Sequence, residues 1–190
     1  VLTLRGTPFI YQGQEFGMLD FDFTRLGQLD DVESHNVDRV LRGFHVPEKV
    51  RWNIIRRTSR DNARTPVQWD GSANGGFTAG KPWLAVNSNY KNINLASQEN
   101  DPDSIWNWYK DLSALRRSSD VLTRGSFEPL LTRGAVFAYR REWEGEAMTV
   151  VLNFSDECAV TSQRGAVVRS NYGRTDFDGN LQPWEAVILE

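Results

Sequence analysis

The stretch Arg60-Asp61-Asn62-Ala63-Arg64-Thr65-Pro66-Val67-Gln68-Trp69-Asp70 crowds two guanidinium groups, two side-chain amides and two carboxylates beside one indole. A guanidinium presents its donors as a rigid planar fork, and amides and carboxylates add directional acceptors, so this density suits a loop that holds a hydroxylated ligand. The alternative is internal: Asp61, Asn62 and Arg64 satisfy one another and the nearby backbone, as buried polar groups must. The apolar spacing fits neither a helix nor a half-buried strand, and Pro66 keeps Thr65 out of the helical region. An irregular, heavily hydrogen-bonded segment is expected.

The rest of the composition narrows what such a loop belongs to. The chain of 190 residues is 39% hydrophobic and 25% charged, ordinary for a globular protein of one large or two small domains. A net charge of -3 supplies no basic field, so no nucleic-acid partner is expected. No apolar run approaches the roughly 20 residues that span a bilayer. Cys158 is the only cysteine, which excludes an internal disulfide and a thiolate cluster and suits a reducing cytoplasm. His35 and His45 are too isolated for a metal site or a catalytic triad, and Asp20 and Asp22 match no complete calcium loop, so neither metal nor cofactor is expected.

Val1-Leu2-Thr3-Leu4 reads as the tail of a helix, which implies a fragment of a longer chain. Phe9-Ile10-Tyr11, between Pro8 and Gln12-Gly13, reads as a short buried parallel strand opening into a loop. Residues 18–31 form an exposed excursion. Helical spacing runs from Val32 to Leu41 and stops at Gly43, suited to a left-handed cap. Pro47 starts a second helix through Val50, Ile54 and Ile55, ending near Ser59. Residues 87–100 are rich in asparagine and serine and read as coil. Asp101 then caps a helix with Pro102 in its first turn and Ile105, Trp108, Tyr109, Leu112 and Leu115 along one stripe. Lys110, Arg116 and Arg117 suit its C-terminal end. Beyond Ser119 the pattern becomes β-rich: Val136–Tyr139 and Met148–Phe154 flank Trp143-Glu144-Gly145-Glu146 as a hairpin, and residues 165–170 and 183–189 supply further strands. Short strands without intervening helices imply a small antiparallel sandwich.

The segment from Arg60 to Tyr90, with Gly75-Gly76-Phe77-Thr78 and Lys81-Pro82-Trp83-Leu84-Ala85-Val86-Asn87, resembles the oligo-1,6-glucosidase group of glycoside hydrolase family 13. So does Gly6-Thr7-Pro8-Phe9-Ile10-Tyr11-Gln12-Gly13-Gln14-Glu15-Phe16-Gly17-Met18, which is similar to that family's eighth barrel strand and the following loop. The likeness covers most of residues 1–120 and weakens beyond. It departs at Gln14, where many members have Glu, and at Val67, where many have Met. The fold implied is α/β plus all-β: residues 1–119 as the final strand and helix region of a (β/α)8 barrel, and residues 120–190 as the antiparallel β domain. A strand cut from its barrel neighbours leaves unpaired backbone groups, so a missing N-terminal barrel segment or self-association is expected to complete it.

The activity implied for the intact protein is release of glucose from short α-linked oligosaccharides, α-1,6-linked, with retention. The same likeness extends to dextran glucosidase, trehalose-6-phosphate hydrolase and sucrose isomerase. In another class, it extends to the non-catalytic heavy subunits of amino-acid transporters. A retaining glycosidase needs two carboxyl groups about 5 to 5.5 Å apart. The family's nucleophile, acid/base and third acidic residue all precede the eighth strand, so none is expected in this chain, which should be inactive alone. What the resemblance carries over is binding. Arg60 matches the position that donates to hydroxyls of the non-reducing glucose; a purely structural ion pair with Asp61 or a neighbouring carboxylate is the alternative. Glu33 matches an acidic position near the leaving sugar, or is an ordinary charge in the first turn of a helix. Glu15, Asp61 and Arg64 are expected to support the site, with Arg64 as partner of Glu15. Of the seven tryptophans, Trp108 lies on the helix stripe, while Trp69, Trp83 and Trp184 suit loop anchors better than sugar platforms.

Overall fold

The computed structural model describes residues 1–130 and 134–190. Their contacts divide into two compact units, one of residues 11–106 and the other of residues 1–10 with 107–190. This grouping differs from a division near residue 120, because the N-terminal turn and most of the long helix pack with the β-sheet.

In the unit of residues 11–106, helix α1 (Val32–Gly43) begins at Asp31, whose side chain accepts from the Glu33 amide. Helix α2 (Glu48–Thr58) follows with Pro47 at its N-cap. The left-handed residue between them is His45, with φ 57°, and not Gly43, which ends α1 in helical conformation. The two helices meet on polar as well as apolar groups. Ile55 packs with Phe23 and Leu29, flanked by Val37 and Trp52. Beside them the buried Asp38 of α1 accepts from Nε of Arg51 in α2 at 2.8 Å and from Arg42 at 3.0 Å. The Arg51 guanidinium also caps the Val46 carbonyl at 2.6 Å. Residues 18–31 therefore contribute to a core through Phe23 and Leu29, as well as lying partly at the surface.

Residues 60–94 are built of 3-10 turns and irregular or extended backbone, and a short helix follows. Thr65 is extended, as its following proline requires. The buried Gln68 side chain donates to the Asn89 side chain at 3.0 Å and to the Ile93 carbonyl, while the Gln68 backbone carbonyl receives the Leu95 amide at 3.0 Å. Gly75, at φ +63°, accepts from the Trp69 amide at 2.7 Å, and a Cβ there would lie 3.4 Å from the Gln68 backbone. One short helix, α3 (Leu95–Gln98), closes this segment where coil was expected; Asn94 caps it by accepting from the Ser97 amide at 2.8 Å.

Helix α4 (Ile105–Ser118) starts three residues later than Pro102 suggests, because Asp101 instead closes a turn, accepting from the Asp103 and Ser104 amides. A short α5 (Asp120–Thr123) follows. The β region comprises β1 (Glu128–Pro129), β2 (Val136–Trp143), β3 (Glu146–Asn153), β4 (Ala159–Val160), β5 (Gly165–Ser170), β6 (Asp176–Phe177), β7 (Asn180–Leu181) and β8 (Ala186–Leu189). Six form one antiparallel sheet in the order β1-β2-β3-β8-β5-β6, and β4 pairs with β7. The β2–β3 hairpin runs in register from Val136↔Asn153 to Trp143↔Glu146, turning on Glu144 and Gly145, both at positive φ as a twisted two-residue turn demands. One face packs Ala138, Val151, Val187 and Leu189 against Phe177 and Leu181. On the other, Tyr139, Val150 and Ile188 meet Leu112 and Leu115 of α4.

The N-terminal residues form a turn on this unit rather than a helix tail, held by two buried arginines. Arg116 donates to the carbonyls of Leu2, Leu4 and Gly6 at 2.8, 2.9 and 2.6 Å. Arg141 donates to those of Thr3, Leu122, Gly125 and Ser126 at 2.6 to 3.1 Å. Phe9-Ile10-Tyr11 is not a strand here: it has no ladder partner among the described residues, and Phe9 is 85% exposed. A strand exists only through its neighbours, and this segment has none to pair with. No helix among the described residues is long and apolar enough to cross a membrane.

Candidate functional site

The C-terminus of α2 and the N-terminus of α1 converge on Arg60. Ser59 ends α2 and turns its hydroxyl to the Asp61 amide at 3.3 Å, which starts the 3-10 turn Arg60–Arg64. Asp31, at the N-cap of α1 and only 2% exposed, receives Arg60 three times. Its Oδ1 accepts from Nε at 2.9 Å and from Nη2 at 2.5 Å, and its Oδ2 accepts from the Arg60 amide at 3.2 Å. Ser34 donates to Oδ2 at 3.0 Å. The hydrogen bond from Arg60, assisted by its backbone amide and by Ser34, lowers the Asp31 carboxyl to about 2 against the opposing effect of burial. In return Asp31 raises the Arg60 guanidinium further, with smaller contributions from Glu33 and Asp61.

Asp61 is completely buried and serves the backbone. Its Oδ2 accepts from the amides of Asp30 and Asp31 at 2.7 and 2.9 Å, and its Oδ1 from Arg64 at 3.3 Å. Arg64 also stands 3.9 Å from Asp31. Its carboxylate partners are therefore Asp61 and Asp31, not Glu15. Glu15 lies in the short 3-10 turn Gln14–Phe16, and its buried Oε2 has no hydrogen-bond partner among the described residues. Glu33 is exposed in the first turn of α1, close enough to Arg60 for its charge to be felt. Sequence reasoning named the partner of Arg60 only as Asp61 or a neighbouring carboxylate; the structure makes it Asp31. The available signal was an aspartate directly before a helical run, the place of an N-cap.

The Arg60 side chain remains 55% exposed. A guanidinium carries five N–H groups, and the contacts with Asp31 engage Nε and one hydrogen of Nη2. Three N–H groups, two on Nη1 and one on Nη2, are left for a ligand of several hydroxyls. Beside the same 3-10 turn, Tyr11, Gln14, Met18, Asn62 and Thr65 line an open hollow of about 270 Å³. A hollow of about 500 Å³ between α1 and α2, edged by Arg25, Arg42, Lys49 and Trp52, is lined by none of the candidate site residues. Trp69, Trp83 and Trp184 are 47%, 65% and 58% exposed, so none is buried as a loop anchor would be; the Trp83 indole N–H donates to Asp30 Oδ2. No group of three or more His, Cys, Asp or Glu side chains among the described residues is arranged to hold a metal ion.

A family model described as the alpha amylase catalytic domain matches residues 1–125. The oligo-1,6-glucosidase of Heyndrickxia coagulans is 41% identical over 191 residues, covering 97% of this chain and 34% of that protein. The glucan 1,6-alpha-glucosidase of Streptococcus pneumoniae serotype 4 is 41% identical over 192 residues, covering 98% of this chain and 36% of that protein. Among solved structures, the isomaltulose synthase of Erwinia rhapontici NX5 superposes with a TM-score of 0.91 at 39% identity, covering 98% of this chain and 36% of that one. The chain thus spans about a third of the length of the curated relatives it matches. On the extent of the catalytic-domain match, this chain belongs to the alpha-amylase family.

Proposed function

We propose that the full-length protein is an α-glucosidase that cleaves glucose from the non-reducing end of short α-1,6-linked oligosaccharides with retention. In this reading residues 1–119 are the C-terminal part of a (β/α)8 catalytic barrel and residues 120–190 an antiparallel β-sandwich domain against which the end of α4 packs. The nucleophile and the acid/base come from a preceding segment, so the 190-residue piece is inactive by itself. Arg60 holds the ring before the scissile bond and Glu33 accepts from hydroxyls of the leaving sugar, with Asp61 and Arg64 as the frame. Glu15 supports the site at the end of the last barrel strand.

The observation that carries this reading is the exposed edge of the Arg60 guanidinium, whose inner edge is tied to Asp31. Several fixed donors on one side of a ring select one orientation, and orientation accounts for a large part of a lowered barrier. Relatives named for 1,6-glucosidic activity supply the linkage. The test incubates the full-length protein with α-1,6-linked gluco-oligosaccharides and follows the released glucose by proton NMR. The α-anomer appears first if the reading holds; no release, or β-glucose first, would overturn it. A second reading, sucrose isomerisation, draws on the likeness to an isomaltulose synthase. Supplying sucrose separates the two, since an isomerase returns a reducing disaccharide where a hydrolase returns monosaccharides.

A further inference from the structure

Asp31 is too deeply buried to touch a substrate, yet most of its hydrogen-bonding capacity is spent on one neighbour. Its carboxylate takes the Nε and Nη2 of Arg60 on one oxygen and the backbone amide of the same residue on the other. This closes a ring that runs from the Arg60 amide, through the carboxylate, back to the guanidinium. A free arginine has four rotatable side-chain bonds and would lose that freedom on meeting a ligand; a ring closed on both ends of the residue removes it beforehand. The carboxylate is itself held, by Ser34 Oγ on Oδ2, by the Glu33 amide on Oδ1 at 3.4 Å, and at its own backbone by Asp61.

From this geometry we infer that Asp31 is a positioning residue, which fixes the Arg60 guanidinium so that its outer N–H edge is presented to a sugar. The inference rests on the sugar-binding reading of Arg60 given above. Asp31 contributes nothing to turnover except through Arg60. Removing its charge loosens the fork without removing the donors.

The test is a double-mutant cycle in the full-length protein, with kcat and KM measured on an α-1,6-linked disaccharide for wild type, Asp31→Asn, Arg60→Ala and the pair. Displacement of a positioning group by about 1 Å can cost about 100-fold, so Asp31→Asn should lower kcat/KM by roughly 10- to 100-fold while Arg60 is present. In the Arg60→Ala background the same change should cost no more than about twofold, because groups acting as one unit are non-additive. Equal losses in both backgrounds would assign Asp31 a structural role and overturn the inference while leaving Arg60 as the sugar-binding group. An Arg60→Ala protein with unchanged kcat/KM would instead remove the reading on which the inference stands. Should Asp31→Asn fail to fold, as judged by circular dichroism, Ser34→Ala replaces it in the cycle. That variant removes only the brace on Oδ2, and its smaller loss should likewise vanish without Arg60.

Discussion

One oxygen of the Asp61 carboxylate accepts the backbone amide of Asp31 at 2.9 Å, so the residue that grips Arg60 is itself gripped by the residue after Arg60. Two strands of chain 30 positions apart are thereby sewn together by reciprocal carboxylate-to-amide bonds. Asp61→Ala would deprive the amides of Asp30 and Asp31 of their acceptor, the second of them in a buried place. Its expected cost is on the order of 3 kcal/mol. Asp61→Asn keeps one acceptor oxygen and should cost less. Chemical denaturation of the two variants measures both values, and an alanine variant as stable as wild type would contradict the proposed frame.

The Asp31 pair also sets an acid response. Its carboxyl lies at about 2 in the folded protein, below the ordinary 3.8, because Arg60 hydrogen-bonds the charged form. A group whose folded pKa is depressed stabilises the fold above its ordinary pKa, and that contribution is lost as pH falls through the folded value. Melting temperatures of wild type and Asp31→Asn should therefore differ by a constant amount above about pH 5 and converge between about pH 4 and 2. A gap that stays constant down to pH 2 would show that the pair is not linked to titration of Asp31.

Arg141 makes a stability prediction in the β-rich unit. It is fully buried in β2 and donates to four carbonyls, including that of Thr3, 138 positions away in sequence. Arg141→Leu strands those carbonyls and should destabilise the protein on the order of 3 kcal/mol. Arg141→Lys recovers only part of this, since a single ammonium cannot reach as a planar fork does. Urea denaturation that leaves the leucine variant unchanged would refute the tie.

Glu33 separates a ligand role from a helix-dipole role. Exposed in the first turn of α1, it can lose its charge at a stability cost of about 0.3 to 1 kcal/mol. If it also receives the leaving sugar, Glu33→Gln should raise KM for oligosaccharides several-fold and leave hydrolysis of an aryl glucoside, which has no sugar on that side, nearly unaltered. Equal effects on both substrates would reduce it to a helix charge.

Local rules made much of this molecule legible from sequence. The spacing of Val136–Tyr139 and Met148–Phe154 around Glu144-Gly145 gave the hairpin, and the stripe of Ile105 to Leu115 gave α4, because both depend on short-range periodicity. Phe9–Tyr11 looked like a strand from its apolar run, but pairing is a property of neighbours and not of the run. Arg116 and Arg141 illustrate a different blind spot. Their charge suggests solvent, or for Arg116 a helix end, and only the folded chain reveals carbonyls from distant turns collected around each guanidinium. At the candidate site, Arg60 and Asp61 stood out by residue type, whereas Asp31 and Ser34 act through contacts across 29 positions and one helical turn.

Arg60→Ala in the full-length protein is the decisive variant, with kcat/KM determined on an α-1,6-linked disaccharide and folding checked by circular dichroism. If Arg60 orients the sugar, kcat/KM falls by about 100-fold or more, the scale on which loss of substrate orientation acts, in a protein that still folds but melts lower because the buried Asp31 has lost its main partner. A folded Arg60→Ala protein that cleaves the disaccharide at nearly the wild-type rate would contradict it.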